Sequence, residues 1–480
     1  MWQPVLMIDG FILCIIGLSM LIPAGLDFYD GYLGTSPFLI SMLITLFIGL
    51  MLFISNKKKI TNLSLRQGYL ITFVSWVTVA LFSSLPFVLS HIMPDIPSAL
   101  FESVSGVTAT GASVIVDVES LPRSILLWRS MLNGFGGIGI VIFAVAMLPF
   151  LGIGGMQIFE HESSETTEKL MPKFIDVAKW ILGVYLSLVA LCSVCLYFCG
   201  MGRFDALNHA LSAVATAGFS TKNNSIAYFN SASIEMVLTL FMIFGALPLT
   251  FYIILLKKHE FEPLRFGQIK YFLKSIFVFT LFLAIYLSYN NDIHFIKALR
   301  LSLFNVVAVI TTTGLSSADY LDWGVWTAVF FTLLSLHGGC IGSTTGSIKV
   351  MRWQVLKSYF NKVLLSSIEP NRVVPVKIGE ASIPDKAVTS VFVYILSFLA
   401  SIAVVAVVLN LLGYDFTTSV AAAVSTITNT GPGAARAISA SGNFAFFSMP
   451  AKYVLCFAMI LGRLEIMTVL VIFTKSFWKN

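Results

Sequence analysis

Residues 99–113 read ALFESVSGVTATGAS and residues 206–220 read ALNHALSAVATAGFS, a gap-free match at an offset of 107. Two later stretches, SLFNVVAVITTTGLS at 302–316 and SVAAAVSTITNTGPG at 419–433, follow the same plan. Each is an apolar run, then small or hydroxyl-bearing residues, then a glycine: Gly111, Gly218, Gly314 or Gly431. The runs, near 97–109, 205–217, 297–313 and 416–430, are shorter than the roughly 20 residues a membrane-spanning helix needs.

Their surroundings are apolar. Of 480 residues, 57% are apolar and 11% charged, where a soluble domain carries about 25% charged, and the mean hydropathy is +0.88. That excludes a cytosolic enzyme, a secreted disulfide scaffold and a disordered chain. Ten runs are long enough to span: near 4–25, 36–55, 68–91, 124–150, 175–200, 233–256, 271–289, 325–350, 386–412 and 447–474. Each short segment lies between two of them. The expected fold is therefore an all-α polytopic membrane protein with ten transmembrane helices. Two leading helices (1–60) precede four helix–pore-loop–helix repeats at 61–170, 171–265, 266–370 and 371–480 around one central pore.

The basic residues orient the chain. Connections after even-numbered spans hold Lys57, Lys58, Lys59 and Arg66, then Lys169 and Lys173, then Lys257, Lys258, Arg265 and Lys270. The next holds Lys357, Lys362, Arg372, Lys377 and Lys386, and the tail adds Lys475 and Lys479. The positive-inside rule places these connections and both termini in the cytoplasm. The net charge of +6 is thus an orientation signal, not a nucleic-acid surface. Acidic residues on the opposite side, among them Asp95, Glu102, Asp117, Glu119, Asp205, Asp319 and Asp415, are expected to raise the cation concentration at a pore mouth.

Non-helical backbone at membrane depth is tolerated only when buried in protein or lining a wet cavity. A half-length helix aims its negative C-terminal dipole end inward, where it favours a cation. The residues that follow can direct carbonyls at a dehydrated ion, as rings of carbonyls do in potassium filters. The candidate filter is Thr108-Ala109-Thr110-Gly111, Ala215-Thr216-Ala217-Gly218, Thr311-Thr312-Thr313-Gly314 and Thr428-Asn429-Thr430-Gly431.

With this four-fold element and two leading helices, nearly the whole chain resembles the Trk/Ktr/HKT superfamily of potassium transporters, most closely the bacterial TrkH-type Trk potassium-uptake subunits. The resemblance implies a single-chain pore of four pseudo-equivalent quarters in a bacterial inner membrane. It also implies a homodimer seated on cytoplasmic nucleotide-binding, RCK-type (TrkA-like) regulatory subunits. In plant relatives a serine at the first filter position accompanies sodium permeability; here that position is Gly111.

The eighth run breaks at Gly338-Gly339-Cys340-Ile341-Gly342-Ser343-Thr344-Thr345-Gly346-Ser347, with Lys349, Arg352 and Lys357 close behind. Four glycines in ten residues cost a helix about 1 kcal/mol each. The segment is read as an intramembrane loop beneath the filter, the alternative being a helix kink. The resemblance implies that this loop obstructs the closed pore, and that Thr345 and Ser347, where many relatives have glycine, stiffen it. Arg463 interrupts the last span in Gly462-Arg463-Leu464-Glu465, a costly place for a charge. The resemblance implies an arginine that faces the pore beside the loop; an ion pair with Glu465 or an interfacial position is the alternative. The gate candidates are Gly338, Gly339, Gly342, Ser343, Thr344, Gly346, Lys349 and Arg463.

The remaining features are read as structural. Glu102 and His209 occupy equivalent places on two pore helices, and loop hydrogen bonds account for them. Cys192, Cys195 and Cys199 read as small membrane hydrophobes, and the acidic stretch 160–165 as a solvated loop or a docking element. Asp9 and Glu465 lie toward helix ends, so no intramembrane carboxylate stands out as a proton carrier. No nucleotide, metallohydrolase or nucleophile motif appears in a credible context. The expected function is potassium uptake through a gated channel-like pore, with no cofactor of its own and K+ as cargo; a coupled K+/H+ or K+/Na+ symporter is the alternative.

Overall fold

The computed structural model describes residues 1–31, 36–57, 63–93, 95–147, 174–258, 267–379, 381–439 and 442–479. Lys58, Lys59, Lys169, Lys173, Arg265 and the acidic stretch 160–165 fall outside them. Seven helices among the described residues are long and apolar enough to cross a membrane: Trp2–Tyr29, Pro37–Ser55, Leu65–Leu89, Arg123–Ile142, Asp176–Phe198, Gly267–Asn290 and Asp385–Leu411. Two further helix pairs are apolar enough only when taken together and are sharply bent, Ala232–Ala246 with Leu249–Leu256 at 91° and Met449–Arg463 with Ile466–Ile472 at 111°. The eighth expected run, at 325–350, is helical only over Val325–Ser335, and the chain resumes as a helix at Val350–Ile368. The glycine run is what stops it.

The four short segments are pore helices: Ile96–Val107, Arg203–Val214, Phe295–Ile310 and Phe416–Thr428. Two start at an aspartate whose carboxylate accepts a backbone N–H, Asp95 from Ser98 at 2.7 Å and Asp415 from Thr418 at 3.0 Å. Such caps satisfy amides that the first turn leaves unpaired. Each quarter's second span packs on the next quarter's pore helix. Arg123–Met147 touches Arg203–Val214, Ala232–Ala246 touches Phe295–Ile310, Val325–Ser335 touches Phe416–Thr428, and Met449–Arg463 returns to Ile96–Val107. The helix–pore-loop–helix repeats therefore close a ring around one central pore. One apolar core joins the first and fourth quarters and a second joins the other two.

The first helix, Trp2–Ser19, packs on Pro37–Ser55 and Leu65–Ser83. Both chain ends meet the start of Leu65–Ser83. Gln67 donates to the Met1 carbonyl, Arg66 donates to the Lys479 carbonyl at 2.7 Å, and Trp2 stacks on Trp478. Asp9 sits in the middle of Trp2–Ser19, not toward its end. It is buried and accepts a hydrogen bond from Thr78 at 2.7 Å. Hydropathy averages over a window and does not register one carboxylate paired across a helix interface.

Candidate pore and intramembrane loop

The four candidate filter segments share one backbone trace. Two residues before each glycine the chain is left-handed, at Ala109 (φ 51), Thr216 (φ 50), Thr312 (φ 57) and Asn429 (φ 55). The glycines themselves have φ values of 79, 91, 73 and 90. A β-branched threonine in this region is strained, and the hydrogen bonds behind it hold it there. The N–H of each left-handed residue turns back to its pore helix, as do the N–H groups of Thr110, Ala217, Thr313 and Thr430 at 2.8–3.0 Å. Thr108 and Thr110, Thr311 and Thr313, and Thr428 and Thr430 hydrogen-bond each other by their hydroxyls at 2.7–2.8 Å. The second quarter has Ala215 and Ala217 at these places.

Donors and hydroxyls thus face backward. Among the described residues, no hydrogen bond reaches the carbonyls of Thr110, Ala217, Thr313 or Thr430. Buried carbonyls left unpaired in this way are rare in proteins. The glycines show where these oxygens lie. A Cβ on Gly111 would overlap the carbonyl oxygen of Ala217, one on Gly218 that of Thr313, one on Gly314 that of Thr430, and one on Gly431 that of Thr110. Each glycine therefore admits its neighbour's carbonyl, and the sequence of contacts closes into a ring. All four glycines line one cavity of about 150 Å³.

The lining of that cavity includes Arg129 and Lys222 and, among the described residues, no carboxylate. Carboxylates stand one contact behind its wall: Asp117 accepts from Asn223, Glu119 pairs with Lys222 and Asp319 accepts from Ser439. Other acidic residues serve the framework. Asp95 and Asp415 cap pore helices, Asp205 accepts from Thr221, and Glu102 is buried against Arg129. Hydrogen bonds from Thr417 and Thr418 hold the Asp415 carboxyl down to about 2.

Residues 338–347 form a buried non-helical loop that packs against the candidate filter segments. Gly346 N–H donates to Thr312 Oγ1 at 2.8 Å, and the hydroxyls of Thr344 and Thr216 lie 3.1 Å apart. Gly346 also packs against Thr428 and Asn429. The loop backbone bonds to the bend after Ala232–Ala246: Cys340 and Thr344 donate to the carbonyls of Ala246 and Gly245, and Leu249 donates to that of Gly342. Thr345 Oγ1 accepts from Gly339 N–H and lies 2.9 Å from Ser343 Oγ; Ser347 donates to the Ser335 carbonyl at 2.7 Å. Thr345 thus pins the loop internally and Ser347 ties it to the end of Val325–Ser335. Lys349 Nζ folds back onto the Thr345 carbonyl and hydroxyl.

Arg463 is buried and does not pair with Glu465. Its Nη1 donates to the Thr344 carbonyl at 2.8 Å and its Nη2 to the Gly136 carbonyl at 3.0 Å. Glu465 instead accepts from Arg352, whose guanidinium lies 3.6 Å from the Tyr394 ring centroid. The 111° bend after Arg463 separates the two neighbours, which sequence adjacency could not reveal. Two further features went unread: the Arg352–Glu465 pair and buried Arg129. Arg129 stands in an apolar span, the same signal that singled out Arg463.

A family model described as TrkH, cation transport protein, matches residues 35–479. Trk system potassium uptake protein TrkI of Halomonas elongata is 35% identical, covering 100% of this chain and 97% of that protein. Trk system potassium uptake protein TrkG of Escherichia coli is 34% identical, covering 98% and 97%. The crystal structure of the potassium transporter TrkH from Vibrio parahaemolyticus superposes with a TM-score of 0.92 at 30% identity over 100% of both chains. This multi-pass membrane protein is thus a transporter and not an enzyme, and it belongs to the TrkH family of cation transport proteins.

Proposed function

We propose that the chain takes up potassium across the bacterial cytoplasmic membrane, as the pore-forming subunit of a Trk-type system. The observation that carries this is the closed ring of four unpaired carbonyls, each seated against the preceding quarter's glycine. A dehydrated K+ replaces its water with such oxygens, and the four pore-helix C-termini add negative potential at the same place. Residues 108–111, 215–218, 311–314 and 428–431 are the filter, contributed by the quarters 61–170, 171–265, 266–370 and 371–480. An interior-negative potential supplies about 2.3 kcal/mol per charge per 100 mV, enough to drive inward flux without a second ion.

The loop with Gly338, Gly339, Gly342, Ser343, Thr344 and Gly346 is the gate. It hangs from Thr216 and Thr312 of the filter and is held from below by Arg463 and Lys349. Opening withdraws it from these partners. Coupled symport would need a proton- or sodium-binding group in the ion path. Asp9 lies on a leading helix outside the four quarters and buried Glu102 is committed to its ion pair with Arg129, which favours the channel. Termini and basic connections face the cytoplasm, where nucleotide-binding RCK-type subunits dock on a homodimer. Expression in a potassium-uptake-deficient bacterium tests the assignment: growth at limiting K+ supports it, and absence of rescue by well-expressed protein refutes it.

A further inference from the structure

The side chain nine residues before each filter glycine is Glu102, His209, Asn305 or Ala422, and the first three reach the strand that leaves the filter. Glu102 accepts from the Ser113 hydroxyl at 3.0 Å and from Val114 N–H at 3.0 Å. His209 Nδ1 lies 2.8 Å from the Asp205 carbonyl and so must be the donor; Nε2 then accepts from Ser220 Oγ at 2.9 Å. Asn305 donates to Ser317 Oγ at 3.0 Å. Ala422 has nothing to offer. The four-fold backbone thus rests on graded supports, ionic in the first quarter and apolar in the fourth.

The first support also crosses between quarters. Arg129, fully buried, donates from Nε to Glu102 at 2.7 Å, from Nη2 to Ser113 Oγ at 3.2 Å and from Nη1 to the Ser220 carbonyl at 3.1 Å, and it lies 4.1 Å from the centroid of the Phe219 ring. Ser113 and Ser220 each follow a filter glycine by two residues. One guanidinium therefore fixes the spacing of two adjacent filter strands, and charge-assisted bonds are the stiffest available. We propose that Glu102 and Arg129 are positioning residues for ion selectivity, holding the ring at the width that prefers K+ to Na+. This rests on the filter reading above.

The test is the K+/Na+ permeability ratio from reversal potentials of purified full-length protein in liposomes. Arg129→Ala is expected to lower the ratio about tenfold, equivalent to about 1.4 kcal/mol, with K+ still carried. The single changes leave a buried charge without its partner, which endangers folding; Glu102→Gln/Arg129→Met removes both charges. The double variant is also expected to lose about tenfold rather than the product of two losses, because the pair acts as a unit. Asn305→Ala, a neutral support, should change the ratio less than about threefold. A folded double variant with lowered thermal stability and an unchanged ratio overturns the proposal and leaves a merely structural pair. An unselective wild type instead overturns the filter reading, and this proposal with it.

Discussion

Replacing Gly314 by serine is the sharpest perturbation of the ring. At φ 73 any other L-residue costs about 1–2 kcal/mol. The larger effect is geometric. The new Cβ would overlap the Thr430 carbonyl oxygen and lie 2.6 Å from Pro432 Cδ, so that carbonyl must retreat by about 1 Å to reach ordinary contact. One of four ligands then moves off the ion, and K+ discrimination should drop at least tenfold, about 1.4 kcal/mol. Gly413→Ala is the control: its φ is 97 but its Cβ meets nothing within 4 Å, so it carries the backbone strain without the clash. Reversal potentials and rubidium uptake of both variants are to be compared with the unaltered protein. Selectivity unchanged in folded Gly314→Ser, or lost equally in Gly413→Ala, would refute the reasoning.

Three further perturbations address the loop and its frame. Arg463→Ala removes two hydrogen bonds from a buried guanidinium, each worth about 1.5–3 kcal/mol; resting conductance should rise about tenfold or more, and unaltered flux and ion block would contradict the gate. Glu465→Gln strips buried Arg352 of its carboxylate and should cost about 3 kcal/mol in thermal unfolding, most of it recovered in Arg352→Met/Glu465→Gln; a larger loss in the double variant would argue against the pair. The Asp415 carboxyl is lowered from 3.8 to about 2 in the folded chain, so its stabilisation is full above the unfolded value and disappears as pH falls through about 2. Thermal melts of wild type and Asp415→Ala should therefore differ near neutrality and converge at the acidic end; a constant difference would refute the cap.

Much of this architecture was readable because it repeats. Four glycines at matching places between apolar runs gave the pore helices within a few residues, and the glycine run at 338–346 announced the break in the eighth span. The closure of the ring was not legible. Which carbonyl faces Gly111 depends on how the quarters pack, and the contact with Ala217 lies over a hundred positions away. The cost of Arg463 in an apolar span demanded a partner, either at the loop or in Glu465, and the bend delivers the Thr344 carbonyl of the loop. The partners of the acidic residues were not legible for a similar reason. Sequence places Asp117 and Asp415 near the mouth, while their hydrogen-bond partners turn them into loop ties and caps. Arg129 carried the same signal as Arg463, a lone charge in an apolar span, but its partners, Glu102 and the Ser220 carbonyl, are set by packing.

The most direct measurement is the zero-current potential of purified protein in a bilayer, with K+ and Na+ gradients imposed separately and no proton gradient. A closed ring of carbonyls in an uncoupled pore predicts a potential that follows the K+ gradient and is nearly indifferent to Na+. Current that appears only with a proton or sodium gradient, or a potential set equally by both cations, would contradict it.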